Sequence, residues 1–285
     1  YTVMAGFQEA MEQLVEYPYG CAEQLSSRLV PFMALREIEG TFGVAHKGSG
    51  DPAEEKRMRA WLGLDAGATN ADGSTSPVNP DDVANKTVHA LLDLQNGDGG
   101  FRYWPNSSCS DAWASSYVTL AIARAGELGY PVPKAAIGRA QKFLAEKVAA
   151  DNLPSGTYGA PHASTPERAF AVWVLARTGA AKSSFIESIY TKRSELPLFG
   201  KAMLADAAFI GKSGHGPALL QELMNASKET ARDVHFEEGS NERWSSYWSS
   251  DARTSAIVLM TLVDMQPNHP YVPKIVHWLS TEKKN

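Results

Sequence analysis

Asp111-Ala112-Trp113-Ala114-Ser115-Ser116-Tyr117-Val118-Thr119-Leu120 recurs later in the chain as Asp251-Ala252-Arg253-Thr254-Ser255-Ala256-Ile257-Val258-Leu259-Met260. A second match follows each copy at nearly the same offset, Tyr130-Pro131-Val132-Pro133-Lys134 and Tyr271-Val272-Pro273-Lys274. Ahead of each copy lies an aromatic, Ser-rich loop, residues 101–110 and 244–250. A loop, a helical pattern, a Pro-marked turn and another helical pattern, repeated, read as stacked helical hairpins. Asp111 and Asp251 stand where N-cap residues belong, accepting from the first free N–H groups of the helices they precede.

Outside the repeat the chain again reads as helices joined by Pro/Gly/Ser-rich loops. Start and stop signals bound helices at 5–14, 25–39, 53–64, 81–95, 111–128, 134–149, 165–179, 183–193, 199–211, 216–231, 251–265 and 272–281. Apolar residues fall at helical spacing in Tyr117, Leu120, Ala121 and Ala125, in Phe170, Val174 and Leu175, and in Ile257, Val258, Thr261 and Leu262. The carboxylates Asp81 and Asp82, after Pro80, open a helix. Strand alternation is confined to a short piece at 234–237. The expected fold class is all-α, a helical repeat.

The 285 residues, 44% hydrophobic and 21% charged, can build a substantial core in one large domain or two small ones. A net charge of −5 argues against a nucleic-acid partner. The basic run Lys283-Lys284 reads as a solvated tail, and no direct membrane contact is expected. No apolar stretch approaches the ~20 residues that span a bilayer, and the first residues lack a signal-peptide pattern. Because Tyr1 is not an initiator methionine, the chain reads as an internal piece of a larger protein. The seven histidines include no His-x-x-x-His pair, so neither a metal nor another cofactor is expected. Two cysteines, Cys21 and Cys109, make no disulfide framework.

Cys21 belongs to the stretch Tyr17-Pro18-Tyr19-Gly20-Cys21-Ala22-Glu23-Gln24. Its spacing from Gln24 lets the sulfur reach the side-chain carbonyl, displace ammonia and close an internal thioester. Such a bond needs a tight turn, which Pro18 and Gly20 can prepare. It also needs protection from water, for which Tyr17 and Tyr19 are candidates; Phe32 reads as core. Glu23 either supports the turn or is a carboxylate favoured by the helix dipole, and both readings stand.

Gly20-Cys21-Ala22-Glu23-Gln24, with its Tyr-Pro-Tyr lead-in and the following Leu25-Ser26-Ser27-Arg28, resembles the thioester motif of the alpha-2-macroglobulin/complement superfamily, most of all the bacterial alpha-2-macroglobulins. Leu94-Gln95-Asn96-Gly97-Asp98-Gly99-Gly100-Phe101 is similar to the Gln-x-x-Asp-Gly-x-Phe loop of that family. The resemblance implies an α/α toroid of about six helical hairpins, with residues 1–285 as one thioester-containing domain of a multidomain protease inhibitor. It implies no enzymatic turnover. Instead, bait cleavage elsewhere exposes the bond, and a lysine of the attacking protease takes the Gln24 acyl group while the Cys21 thiolate leaves. The implied partners are target proteases and neighbouring domains of the parent, in a periplasmic or extracellular setting. In complement-type members the second loop carries a histidine that favours hydroxyl acceptors. Residues 102–110 contain none, and Cys109 falls near that position, which implies direct attack by an amine. A discharged Cys21 captured by Cys109 as a disulfide is one expectation, and a Cys109 without a partner the other.

Two other classes stay open. One is an enzyme on a toroidal scaffold, glycosidase or terpene-cyclase-like, with Cys21 structural. The other is a cysteine hydrolase using Cys21 with His89 or His162 as base.

Overall fold

The computed structural model describes residues 20–42, 68–69, 75–76, 80–151, 163–238 and 250–281. Over these residues the fold is all-α, with ten helices and two hairpins of two-residue strands. The helices expected at 5–14 and 53–64 lie outside the described residues. Two compact units, residues 1–140 and 141–285, divide the chain.

In the first unit α1 (Ala22–Phe42) packs along α2 (Pro80–Asp93) and α3 (Ala112–Glu127). Ala22, Leu25, Leu29, Phe32 and Met33 recur every three or four positions, giving α1 one apolar face. That face meets Ala84, Val88 and Leu91 of α2 and Ala114, Val118, Ile122 and Ala125 of α3 in a continuous core. Truncating the fully buried Leu29 to alanine would cost roughly 2–5 kcal/mol, the transfer term plus the cavity. Pro31 removes a donor from within α1, yet the helix continues because its apolar face is held on both flanks. A small antiparallel hairpin, β1 (Ala68–Thr69) and β2 (Thr75–Ser76), also falls in this unit.

The unit boundary falls within α4 (Lys134–Ala149). The second unit contains α5 (Thr165–Arg177), α6 (Ser183–Tyr190), α7 (Leu198–Ile210), α8 (Gly216–Asn225), α9 (Asp251–Met265) and α10 (Tyr271–Thr281). Residues 169–176 of α5 are all buried, and so are 202–208 of α7. A helix apolar on every side belongs at the centre, and α7 packs against α5, α8 and α9 at once. Its one buried charge, Asp206, accepts from Trp173 Nε1 at 2.5 Å and Arg177 Nε at 2.8 Å. Burial pushes the Asp206 carboxyl up, and the Arg177 guanidinium pulls it back.

The sequence repeat is a structural repeat. Ser115 Oγ accepts the Phe101 N–H at 2.8 Å, and Ser255 Oγ accepts the Phe236 N–H at 3.0 Å. Both phenylalanines are fully buried. The matched pairs Val118/Val258 and Ile122/Leu262 are buried in their respective cores. Two residues beyond each phenylalanine the loop closes the start of another helix. The Tyr103 carbonyl accepts the Ala22 N–H at 2.9 Å, and the Glu238 carboxylate accepts from Leu198 at 3.3 Å and Phe199 at 3.0 Å.

Four expectations are corrected. Asp111 caps α3, accepting the Ala114 N–H at 2.6 Å, but Asp251 is the first residue of α9 and Ser250 is its cap, accepting from Arg253 at 3.2 Å. Asp251 instead accepts the Glu238 N–H at 3.0 Å. The helix expected over 216–231 stops at Asn225, because the chain turns into β3 (Lys228–Glu229), antiparallel to β4 (Val234–His235). The Thr230 hydroxyl, accepting from Arg232 and Asp233, offers that backbone a turn instead of a helix. The strand expected over 234–237 is two residues long, and the helix expected to reach 193 stops at Tyr190 before a 3-10 turn, Arg193–Glu195. Of the loop expected at 244–250, only Ser250 is among the described residues.

Candidate thioester site

The site begins with the loop between α2 and α3. Gln95 and Phe101 pair across a tight hairpin, closed by Asn96 N–H to Gly100 O at 2.8 Å and Gly99 N–H to Asn96 O at 3.0 Å. Gly99 has φ +93°, and a Cβ there would stand 2.5 Å from the Arg139 carbonyl oxygen. Both the left-handed backbone and the close approach demand glycine. Asp98 Oδ1 ties the turn, accepting from the Gly100 N–H at 3.0 Å and the Ser110 hydroxyl at 2.7 Å. The Gln95 side chain bonds the carbonyls of Gly99 at 3.0 Å and Ala136 at 2.9 Å and receives Arg139. Phe101 is thereby seated, and the next residues deliver Tyr103 to the start of α1.

Gly20 and Cys21 are the last two residues before α1, and Cys21 is only 1% exposed. The first N–H groups of a helix have no partner within it. Here Ala22 donates to Tyr103 O at 2.9 Å, Gln24 to the Cys21 sulfur at 3.5 Å, and Leu25 to Cys21 O at 3.0 Å. The sulfur therefore takes the place of an N-cap oxygen, at the positive end of the helix dipole. The Gln24 side-chain oxygen, in the same turn, is buried and accepts no hydrogen bond among the described residues. Such an oxygen costs about 1–3 kcal/mol, a cost a purely structural glutamine would relieve.

Glu23 lies between the two, and the Tyr103 hydroxyl donates to its Oε2 at 3.3 Å. Burial pushes the Cys21 thiol up, the Gln24 N–H pulls it down, the Glu23 carboxylate pushes it up again, and the Tyr103 hydroxyl lowers it slightly. Burial, then the Glu23 and Cys21 charges, push the Tyr103 hydroxyl far up, so it stays a donor. The thiol is accordingly kept neutral, and an uncharged thioester sulfur suits the same environment.

Of the residues expected from sequence, Gly20, Cys21, Glu23 and Gln24 lie at the start of α1, where the Gln24 N–H meets the Cys21 sulfur; Tyr17 and Tyr19 lie outside the described residues. Among the described residues a Cβ at Gly20 would meet nothing within 4 Å. Tyr103 was not foreseen. Its only sequence signal is its place two residues after Phe101, in a loop already singled out. Cys21 is buried, Cys109 is exposed, and no disulfide joins them. No imidazole is among the groups that shift the Cys21 thiol, and His89 is exposed on α2, while His162 lies outside the described residues. Among the described residues no cluster could hold a metal ion, and no helix is long and apolar enough to cross a membrane.

No family model matches the chain. It is 25% identical to an alpha-2-macroglobulin from Escherichia coli over 96% of this chain, and 24% identical to one from Rickettsia conorii over 66% of it. The chain spans 15% of the length of the first of these relatives and 8% of the second. Its fold is similar to a crystal structure of native Escherichia coli alpha-2-macroglobulin running from domain MG7 to the C-terminus. That match has a TM-score of 0.68 at 22% identity and covers 97% of this chain and 38% of that one. It is also similar to the Salmonella protein reacted with methylamine, at TM-score 0.63 and 22% identity over 96% of this chain and 16% of that one. A further match is trypsin activated alpha-2-macroglobulin from Escherichia coli, at TM-score 0.64 and 22% identity over 93% of this chain and 16% of that one.

Proposed function

We propose, from the premise that the relatives of this chain are bacterial alpha-2-macroglobulins, that it is the thioester-bearing part of a protease-trapping inhibitor. The observation that carries this reading is the buried Cys21 sulfur at the head of α1, in one turn with a buried Gln24 side-chain oxygen that accepts no hydrogen bond among the described residues. The Cys21 thiol adds to the Gln24 carboxamide and ammonia leaves, storing an acyl group. The near-complete burial of Cys21 keeps water from it. Tyr103, with Tyr17 and Tyr19 from the preceding segment, serves as the screen.

Cleavage of a bait segment elsewhere in the parent uncovers the bond. A lysine amine of the protease adds to the Gln24 acyl carbon, the C–S bond breaks, and an amide and a Cys21 thiol remain. The acyl group is consumed in one round, so the chain acts as a covalent trap and not as a turnover enzyme. In this reading residues 1–285 form one α/α toroid, shielded by neighbouring domains of a periplasmic or extracellular parent. The helices of α5 and α7, buried on nearly every side, suit the inner ring of such an architecture.

Labelled methylamine offered to the parent protein tests the reading. One new thiol should appear for each amine incorporated, with neither in Cys21→Ala. Unchanged thiol content with no incorporation would overturn it and favour a toroidal enzyme in which Cys21 is structural.

A further inference from the structure

The hydrogen bond between Tyr103 and Glu23 has no part in forming the thioester and sits beside it. Glu23 occupies the first turn of α1 between Cys21 and Gln24, and its carboxylate is close enough to act on the Cys21 sulfur. A glutamate side chain there is free to swing through several rotamers unless something holds it. Tyr103 does so from outside the helix. Its carbonyl is fixed on Ala22 N–H at 2.9 Å and its hydroxyl donates to Glu23 Oε2 at 3.3 Å. Tyr103 is therefore anchored through its backbone and its side chain on the two residues that follow Cys21. Its body packs, partly buried, against the core of the first unit.

We infer that Tyr103 and Glu23 form an acceptor-selecting pair, in which Tyr103 holds the Glu23 carboxylate beside the acyl bond so that it draws in ammonium groups and removes their proton. This rests on the thioester reading. An alkylammonium cannot attack until it loses a proton. A carboxylate at the acyl bond both attracts it and accepts that proton, giving R–NH2 and a protonated Glu23. The free amine adds to the Gln24 carbonyl carbon, and the C–S bonding pair leaves with the sulfur. The second nitrogen proton ends on the Cys21 sulfur, whose thiol burial keeps neutral. Glu23 then returns its proton to water, so the ammonium and thioester become amide, thiol and one proton. A hydroxyl acceptor carries no charge for Glu23 to attract, and the nearby phenol is a donor and not a base. The pair thus discriminates by charge, with Tyr103 the positioning residue and Glu23 the group that meets the nucleophile.

The full-length parent protein tests this with labelled methylamine and labelled glycerol, rates being taken per mole of thioester. Tyr103→Phe keeps the ring and loses the hydrogen bond. Its amine-to-glycerol rate ratio should fall about threefold to tenfold, the worth of one such bond, through the amine rate alone. Glu23→Gln should lower the same ratio further. Ratios within about twofold of wild type in both variants would overturn the pair. A readout without mutation keeps the test independent of folding. Added salt should slow uptake of methylamine, which is charged at neutral pH, and leave methoxyamine, which is not, unchanged. An equal salt response for the two amines would also overturn it. A wild-type protein whose mass shows no loss of ammonia would instead overturn the thioester reading, and is recognised before any variant is compared.

Discussion

The Ala22 N–H and the Tyr103 carbonyl oxygen lie 2.9 Å apart, tying the first residue of α1 to a loop that sequence places far downstream. The position of the Cys21 sulfur is consequently a property of two segments. One supplies the turn before α1, and the other supplies the bond that closes it. Any change that loosens the loop between α2 and α3 should disturb the site without touching the motif itself.

Gly99→Ala is the sharpest such change. It forces a side chain onto a backbone at φ +93° and drives Cβ to 2.5 Å from the Arg139 carbonyl. A loss of at least about 2 kcal/mol in unfolding free energy is expected from urea titration. Gly97→Ala, at an exposed position with nothing within 4 Å, should change stability by no more than about 0.5 kcal/mol. Equal effects of the two would contradict the role given to the turn.

The structural repeat makes a paired prediction. Ser115→Ala and Ser255→Ala each strip the acceptor from the buried N–H of Phe101 or Phe236. Each should cost about 1–3 kcal/mol, and the two should add when combined because the serines share no partner. Thermal or urea unfolding of the two single variants and the double variant measures this. A large cost at one serine and none at the other would mean that the two hydrogen bonds do not play the same part.

Much of this was legible in the sequence. The helices over 134–149 and 251–265 fall at the limits expected, the first with Pro133 marking its start, the second although its cap is Ser250 and not Asp251. The Cys21–Gln24 motif and the Asp98-Gly99-Gly100-Phe101 turn were visible as local chemistry. What escaped was non-local. Tyr103 reaches Glu23 and Ala22 only through the fold, as Glu238 reaches Leu198 and Phe199. The overrun of α8 to 231 had a local cause, the Thr230 turn, whose hydroxyl competes with the helix for backbone donors.

The released Cys21 thiol should be a sluggish nucleophile. Burial and the Glu23 carboxylate raise it, and the Gln24 N–H and Tyr103 only partly compensate. After methylamine treatment, its alkylation by iodoacetamide followed against pH should show a midpoint above the ordinary cysteine value of about 8.5. The neutral thiol is the form this environment favours, so reactivity should rise only as pH climbs through that raised midpoint. A midpoint below the ordinary value would mean that the helix dipole outweighs burial.

The mass of the intact chain under denaturing, non-reducing conditions tests the central claim most directly. A Cys21–Gln24 thioester makes the wild-type protein lighter than its sequence by one ammonia. Cys21→Ala should show its full sequence mass, and methylamine should raise the wild-type mass by the whole amine while freeing one thiol. A wild-type mass equal to that of the sequence, unchanged by methylamine in the full-length parent, would contradict the account.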